Sequence, residues 1–485
     1  MNLPQSELPE GTVPKDLRSY LAEYEQAHPD QIVRIGKEIS CREEVSALVR
    51  RLDEAAKYPI LIFDNVLNVA GNRCRSPLVV NLLASRARCA EAIGSSFERV
   101  GIDYYHRVTS RTKPLVLPKH QAPVKQVVKT GEDVDLLEFP ALVHHYMDPG
   151  PYLTAGFFTN YDPDTGIDNT SLQRGWIVDK DTVRVYLTPF SHSRLNFGKH
   201  EARGQDMRVA YWLGHHPVAC LGAQVRLGYP ESHFEATGGL LGEPLRLVPS
   251  ETLGDDFLVP ADAEVVVEGI LTAGKRYPEG PFGEYTGYIG PQIPNPQMKV
   301  TAITHRSDPY WHDIVLTGPD VLVTGAFALE GAVYEAVKQR VPSLSKVYLP
   351  LSGRCRFHVY LQLDNPRRGD AREAIMSALP VDYRFKHAFV FDSDIDIFDD
   401  REVLFALATR TQWDKDVMVF TGTRGSELDP TITEELTTKG GIDCTKPAQE
   451  AFAERNKVAD AVYERVQTHL FIEPDQIERM PVERM

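Results

Sequence analysis

Between residues 153 and 325 the chain is cut into short runs, and this restricts its fold more than any other feature. YLTAGFFTNY, GWIVDK, VRVYLTPF, MRVAYWLG, VACLGAQV, AEVVVEGIL, KVTAITH and HDIVLT are alternating or wholly apolar, with Gly, Pro, Asp or Asn between them. That spacing predicts the strands of a mixed or antiparallel sheet or of a barrel. One helix candidate interrupts them, His233–Leu241, which contains Glu235.

The flanks differ in texture. Residues 15–58 read as helix, strand and helix: DLRSYLAEYEQA and CREEVSALVRRLDEA are amphipathic, and QIVRIGKEI alternates. YPILIFDNV predicts a buried strand and 78–92 a helix covering it, with Arg73 and Arg75 in a solvated loop or a helix-start anion site between them. A Pro-rich stretch, LVLPKHQAPVKQVVKTGEDVDLLEFP, predicts an extended crossing. Beyond residue 320, helices such as FALEGAVYEAVKQRV and GDAREAIMSALP alternate with apolar strands, which predicts an α/β domain with a covered sheet. AQEAFAERNKVADAVYERVQTHL predicts one long terminal helix. The expected fold class is therefore α/β. Its expected parts are an N-terminal α/β region over 1–125, a β domain over 126–325, a C-terminal α/β domain over 326–455, and a helix and tail over 456–485.

A net charge of -15 argues against a non-specific nucleic-acid binder, which needs a dominant basic face. The cysteines, at 41, 74, 89, 220, 355 and 444, have neither CxxC nor structural-zinc spacing, and so few in so long a chain predict a reducing, cytoplasmic setting. No secretory leader opens the sequence, and no apolar run reaches the length of a membrane span, so neither membrane nor nucleic acid is an expected partner.

Chemistry concentrates in PEGPFGEYTGY, residues 278–288. Glu279 and Glu284 bracket a Gly/Pro bend among aromatic rings, where a carboxyl can carry the raised pKa of a general acid; a solvated surface turn is the alternative. His144, His145 and Asp148 are either metal ligands or a packed turn. Asn169, His192 and Glu235 offer a carbonyl oxygen, an imidazole and a carboxylate, a mixture suited to an octahedral ion such as Mn²⁺; a core histidine with two solvated polar residues is the alternative. Arg174 follows Asn169 by five residues, as if on the same strand.

The ordered set of these pieces resembles the UbiD family of decarboxylases, which use prenylated FMN. The resemblance rests on the Asn169…Arg174 pair, the His192 motif, Glu235-Ala236 leading into GGLLGEPLRLV, the PEGPFGEYTGY turn, FDSDIDIFDDREVLFALATR and GIDCTKPA, and it runs from about residue 15 to 455. It implies a middle split β-barrel, flavin-reductase-like, that binds cofactor and metal between the two α/β parts. It implies that Asn169, His192 and Glu235 hold Mn²⁺ against the cofactor phosphate with K⁺ nearby, and that Arg174, Glu279 and Glu284 form the catalytic network. Glu243 is an alternative acid that does not match the ligand position, and Thr170 stands where some relatives carry an aromatic residue. Lys386 is a candidate phosphate contact, Arg410 a candidate visitor to the same region, and Val323 or Thr324 the expected substrate wall.

The implied reaction is reversible, non-oxidative decarboxylation of an aromatic, heteroaromatic or α,β-unsaturated carboxylic acid through a covalent adduct with prenylated FMN, with Glu284 protonating the product. The resemblance also implies a homodimer or homohexamer that depends on a separate flavin prenyltransferase. The alternatives are a redox or non-catalytic flavin-binding protein and a structural subunit of a larger carboxylase.

Overall fold

The computed structural model describes residues 14–316, 318–447 and 451–480. Two compact units divide the chain, residues 1–445 and 446–485.

The centre of the first unit is a nine-stranded sheet. Its order is Asp168–Leu172, Phe157–Tyr161, Met207–Leu213, Val265–Leu271, Gln297–His305, Thr182–Val185, Gly175–Asp179 and Tyr152–Leu153, with Val127–Thr130 also on Gln297–His305. All its pairings are antiparallel. Side chains alternate between faces, so a sheet buried on both sides needs apolar residues at nearly every position. Met207–Leu213 shows this. Val209, Tyr211 and Leu213 join one core while Ala210 and Trp212 join the other.

The N-terminal part adds a four-stranded sheet, Ile32–Ile35, Ile60–Phe63, Leu78–Val80 and Trp311–His312. Its last strand comes from beyond residue 300, so chain from the expected β domain completes this sheet. The helix Leu17–Ala27 is started by Asp16, whose carboxylate accepts from the Ser19 backbone, and it buries Leu17, Tyr20, Leu21 and Tyr24. In the C-terminal part a five-stranded sheet runs Leu344–Tyr348, His358–Leu363, His387–Asp392, Leu436–Asp443 and Val417–Arg424. One face packs under Ala326–Lys338 and Asp370–Ala378, the other under Asp400–Arg410.

Several local expectations are corrected. Leu78–Val80 is a strand, and the helix begins only at Arg86, where Ser85 accepts from the Arg88 backbone. VACLGAQV is not a strand: Pro217–Gly222 is a buried helix with proline in its first turn and the His216 ring accepting from the Val218 backbone. A short apolar run fits either state, and here the cap decides. The helix His192–Ala202 has almost no apolar periodicity and is started by Ser191. The long terminal helix is not formed among the described residues. In the second unit the described residues form only Asp460–Arg465, a single turn at Thr468–Leu470 and Pro474–Arg479, while 448–450 lie outside the described residues. None of these three elements buries a residue, and an amphipathic helix without a packed face is marginal.

All six cysteines are buried and unpaired. No helix among the described residues is long and apolar enough to cross a membrane.

One buried ion pair joins the N- and C-terminal parts. Arg86 Nη1 lies 2.7 Å from Glu330 Oε1, which also accepts from the Leu349 backbone, and Phe97, Phe327, Tyr348 and Phe398 ring the guanidinium. Removing one partner leaves a buried, uncompensated charge. Glu330→Ala should therefore cost about 3–5 kcal/mol, read as a lowered thermal unfolding midpoint; a midpoint unchanged from the parent protein contradicts this role for the pair.

Candidate active site

The bend at 278–288 is built as two short ladders. Tyr277–Glu279 pairs with Ile293–Asn295, and Phe282–Gly283 pairs with Ile289–Gly290. Gly280 and Gly287 both hold φ of +87°, a region that disfavours other residues. A Cβ on Gly283 would overlap the His145 ring, and one on Gly290 would lie 2.8 Å from Glu284 Oε1. The His144 and His145 rings meet the edge of Phe282, and the Asp148 carboxylate accepts from both of their backbone amides. Of their two earlier readings, this geometry is the packed turn. It supports the bend from behind.

The bend delivers both acids to one arginine. Arg174 is in the link between Asp168–Leu172 and Gly175–Asp179, not on the strand with Asn169. Its Nε and Nη2 donate to the two oxygens of Glu279, each at 2.9 Å, and its Nη1 donates to Glu284 Oε1. The guanidinium lies 4.1 Å from the Tyr186 ring centroid and 4.8 Å from that of Phe282. Tyr152 donates a further bond to Glu279. All three charged groups are buried.

One cation thus faces two carboxyls away from water, and the set titrates as a unit. Burial pushes the Glu284 carboxyl above its ordinary range; Arg174 pulls it down, while Glu279 and Glu427 push it further up. Burial works against the Arg174 charge, but Glu284 and Glu279 outweigh it and hold the guanidinium well above its usual range. A buried carboxyl with a raised affinity for a proton beside a fixed cation is suited to take up and deliver one.

Glu284 and Arg174 line a cleft with Tyr186, Thr324, Ser426 and Glu427. Leu172, Gln173, Gly325, Arg356 and Arg384 belong both to this region and to a second one that carries Asn169, His192, Arg226 and His233, so the cleft is continuous. Its second end is basic. Arg384 grips Asp382 with two hydrogen bonds at 2.7 and 2.8 Å, and Arg226 lies 3.0 Å from the same carboxylate. Two guanidiniums thus share one acid and Arg356 brings a third to this end, an excess of positive charge. Burial, and then Arg384, push Arg356 down to about 10. A side chain on Gly325 would collide with that guanidinium, so glycine leaves it room.

The expected residues divide between this cleft and other places. Asn169, His192, Arg174, Glu284 and Thr324 line it, and Glu279 sits directly behind Arg174. Thr324 donates its hydroxyl to the Asp320 carbonyl at 2.6 Å, so that proton is already committed to its own helix. Val323 faces a different hollow with Phe97, Phe327 and Tyr348. Lys386 lies 2.7 Å from both Asp429 and Thr431, and Arg410 is bound to Asp392 and Asp394. Glu243 pairs loosely with Lys15. Neither Glu235 nor Lys386 is among the residues lining either end. Arg356, Arg384, Glu427 and Tyr186 were not anticipated, because each reaches the cleft from a separate element without a local motif; His233 ends the loop 223–233, which leads into Glu235 and was expected to pass close to the phosphate. Among the described residues no group of three or more His, Cys, Asp or Glu side chains forms a metal cluster.

Three family models match the chain. They are described as the N-terminal domain, the Rift-related domain and the C-terminal domain of 3-octaprenyl-4-hydroxybenzoate carboxy-lyase, UbiD, over residues 25–107, 116–319 and 323–444. The chain is 32% identical over 415 residues to an anhydromevalonate phosphate decarboxylase from Methanosarcina mazei, covering 85% of this chain and 93% of the relative. It superposes on the UbiD-class enzyme HmfF from Pelotomaculum thermopropionicum in complex with FMN, with TM-score 0.88, 32% identity, and coverage of 94% of this chain and 100% of the other. An evolved dimeric form of HmfF in complex with prenylated FMN gives TM-score 0.85, 32% identity, and coverage of 95% and 100%.

The raised Glu284 carboxyl has a consequence for stability. The folded chain holds this proton more tightly than the unfolded chain. The stability it contributes is complete below the ordinary carboxylate range and is lost as pH rises through the elevated folded value. Glu284→Gln removes that loss. Thermal midpoints followed upward from about pH 4 should move in favour of the variant as pH rises; a constant difference between the two proteins contradicts the elevated carboxyl.

Proposed function

The chain belongs to the UbiD family of prenylated-FMN-dependent (de)carboxylases, and on that premise we propose that it releases CO₂ from an aromatic, heteroaromatic or α,β-unsaturated carboxylic acid with Glu284 as proton donor. The observation that carries these roles is the buried cluster of Arg174, Glu279 and Glu284, whose Arg174 and Glu284 line a cleft that continues to a basic end.

A cleft with the buried carboxyls Glu284 and Glu427 toward one end and the Arg226, Arg356 and Arg384 guanidiniums toward the other fits a long cofactor that carries a phosphate at one end and reacts at the other. Arg226, Arg356 and Arg384 would hold the phosphate, with Gly325 leaving room for the Arg356 guanidinium. Asn169 and His192 contribute to a divalent cation there, Mn²⁺ in this reading, with K⁺ beside it. When bound, prenylated FMN supplies the sink for the electron pair that remains as CO₂ departs.

The chain's own residues manage charge and proton. An incoming substrate carboxylate competes with Glu284 for Nη1 of Arg174, while Glu279 keeps its two-point grip and fixes the guanidinium plane. Glu284, released from its cation in a buried setting, takes up a proton. After CO₂ leaves, that proton passes to the carbon that carried it. The reverse sequence is available when CO₂ is abundant. Tyr186, Ser426 and Glu427 give the substrate end a polar wall, which favours acids carrying hydroxyl or heteroatom groups.

In this reading the protein works as an assembly of its own copies, receives its cofactor from a flavin prenyltransferase and acts in the cytoplasm. The enzyme is therefore to be co-produced with that prenyltransferase and assayed for CO₂ release over a panel of phenolic, furan, pyrrole, indole and cinnamate-type acids. Loaded protein that releases CO₂ from none of these overturns the reading.

Glu284→Gln should lower CO₂ release by about 10²–10⁴-fold while the bound-cofactor spectrum persists; near-parental turnover would remove the donor role. Arg356→Met loses one charge-assisted contact, which corresponds to about 10- to 100-fold weaker cofactor retention, measured as flavin per chain after gel filtration. Unchanged retention would move the phosphate site elsewhere.

A further inference from the structure

We infer that the cation-holding third residue of this cleft is the His233 imidazole and not the Glu235 carboxylate, a step that rests on the cation reading above. Asn169, His192 and His233 all line the basic end of the cleft, whereas Glu235 is not among its lining residues. The helix itself separates the two candidates. His233 and Glu235 are two positions apart in His233–Leu241, which turns their side chains about 200° from each other. Only one of them can face the cleft.

The three residues are held together by the chain. The Asp168 carboxylate accepts from the Ser232 hydroxyl and, at 3.0 Å, from the Phe234 backbone, which fastens the helix start to the strand carrying Asn169. Ser193, next to His192, accepts from the Asn169 side-chain nitrogen at 2.8 Å, which leaves the amide oxygen as that residue's donor atom. The His233 Nδ1 is buried without a hydrogen-bond partner. A buried imidazole nitrogen without a partner forfeits its hydrogen bond unless something else occupies it. With metal–nitrogen bonds of about 2.1 Å, two imidazoles on one ion have ring centroids roughly 4.5–6.5 Å apart. The His192 and His233 centroids are 6.5 Å apart, at the upper end of that span.

The exchange changes the chemistry of the site. Two neutral imidazoles and an amide oxygen carry one negative charge fewer than a set containing a carboxylate. The ion keeps more of its charge for a phosphate. Nitrogen donors also move the preference from Mn²⁺ toward Co²⁺ and Zn²⁺.

The test is direct binding of Mn²⁺ and of Co²⁺ to the full chain, by metal analysis after dialysis and by pulsed electron paramagnetic resonance, which counts nitrogen ligands on bound Mn²⁺. Loss of an outer-shell partner alone costs about 10- to 100-fold in affinity, so His233→Ala should cost at least that, with one nitrogen coupling lost. Glu235→Gln should bind both ions like the parent. His233→Glu should restore binding with preference moved toward Mn²⁺, which separates ligation from a folding defect. Loss of the ion in Glu235→Gln, or its retention with both nitrogen couplings in His233→Ala, overturns the assignment. A parent protein that binds neither ion overturns it together with the cation reading, and CO₂ release by the loaded enzyme then judges the decarboxylase reading separately.

Discussion

A guanidinium buried between two carboxyls is the constraint on which the rest of the site depends. Arg174 cannot be taken from water alone, and neither can Glu279 nor Glu284. Together they are tolerable only if every bond is made at short range. The Glu279 side meets that demand with a two-point grip. The Glu284 side meets it through a single oxygen, and burial raises that carboxyl's affinity for a proton. The asymmetry follows from geometry. One acid serves as a fixed partner and the other is free to exchange its proton.

The surrounding structure keeps that arrangement dry and rigid. The double-faced burial of the nine-stranded sheet fixes the ends of its strands, and Arg174 and Tyr186 both sit just beyond such ends. Phe282 and Tyr186 cover the guanidinium, and the histidine turn at 144–148 props Phe282. The C-terminal part supplies Arg356, Arg384 and Glu427. The Arg86–Glu330 pair and the helix Ala326–Lys338, which joins two cores, couple this part to the other side of the cleft. Both ends of the cleft are therefore lined jointly by the middle and C-terminal parts of the chain.

Much of this was legible in the residues. Short, nearly continuous apolar runs marked the strands around Met207–Leu213 and Val265–Leu271, since a sheet buried on both faces needs apolar residues at nearly every position. The helices Leu17–Ala27, Glu44–Glu54 and His233–Leu241 were equally plain. Pro217–Gly222 was not, because six buried apolar residues carry no period, and His192–Ala202 was missed because its faces hardly differ. At the site, the Gly/Pro bend announced Glu279 and Glu284. Lys386 and Val323 looked equally suitable by position but turn toward other partners.

Sequence by itself determined the family, the three-part α/β–β–α/β order and the residue types that the chemistry requires, because these rest on periodicity and on motifs a few residues long. Tertiary structure alone decided which of those residues meet. It brought Arg174 to two acids more than a hundred positions away, gathered Arg226, Arg356 and Arg384 into one basic end, and turned His233 toward the cleft in place of Glu235. The reason is physical. Helix phase, strand ends and the packing of distant elements set the direction of each side chain, and none of these is written in the spacing of residues along the chain.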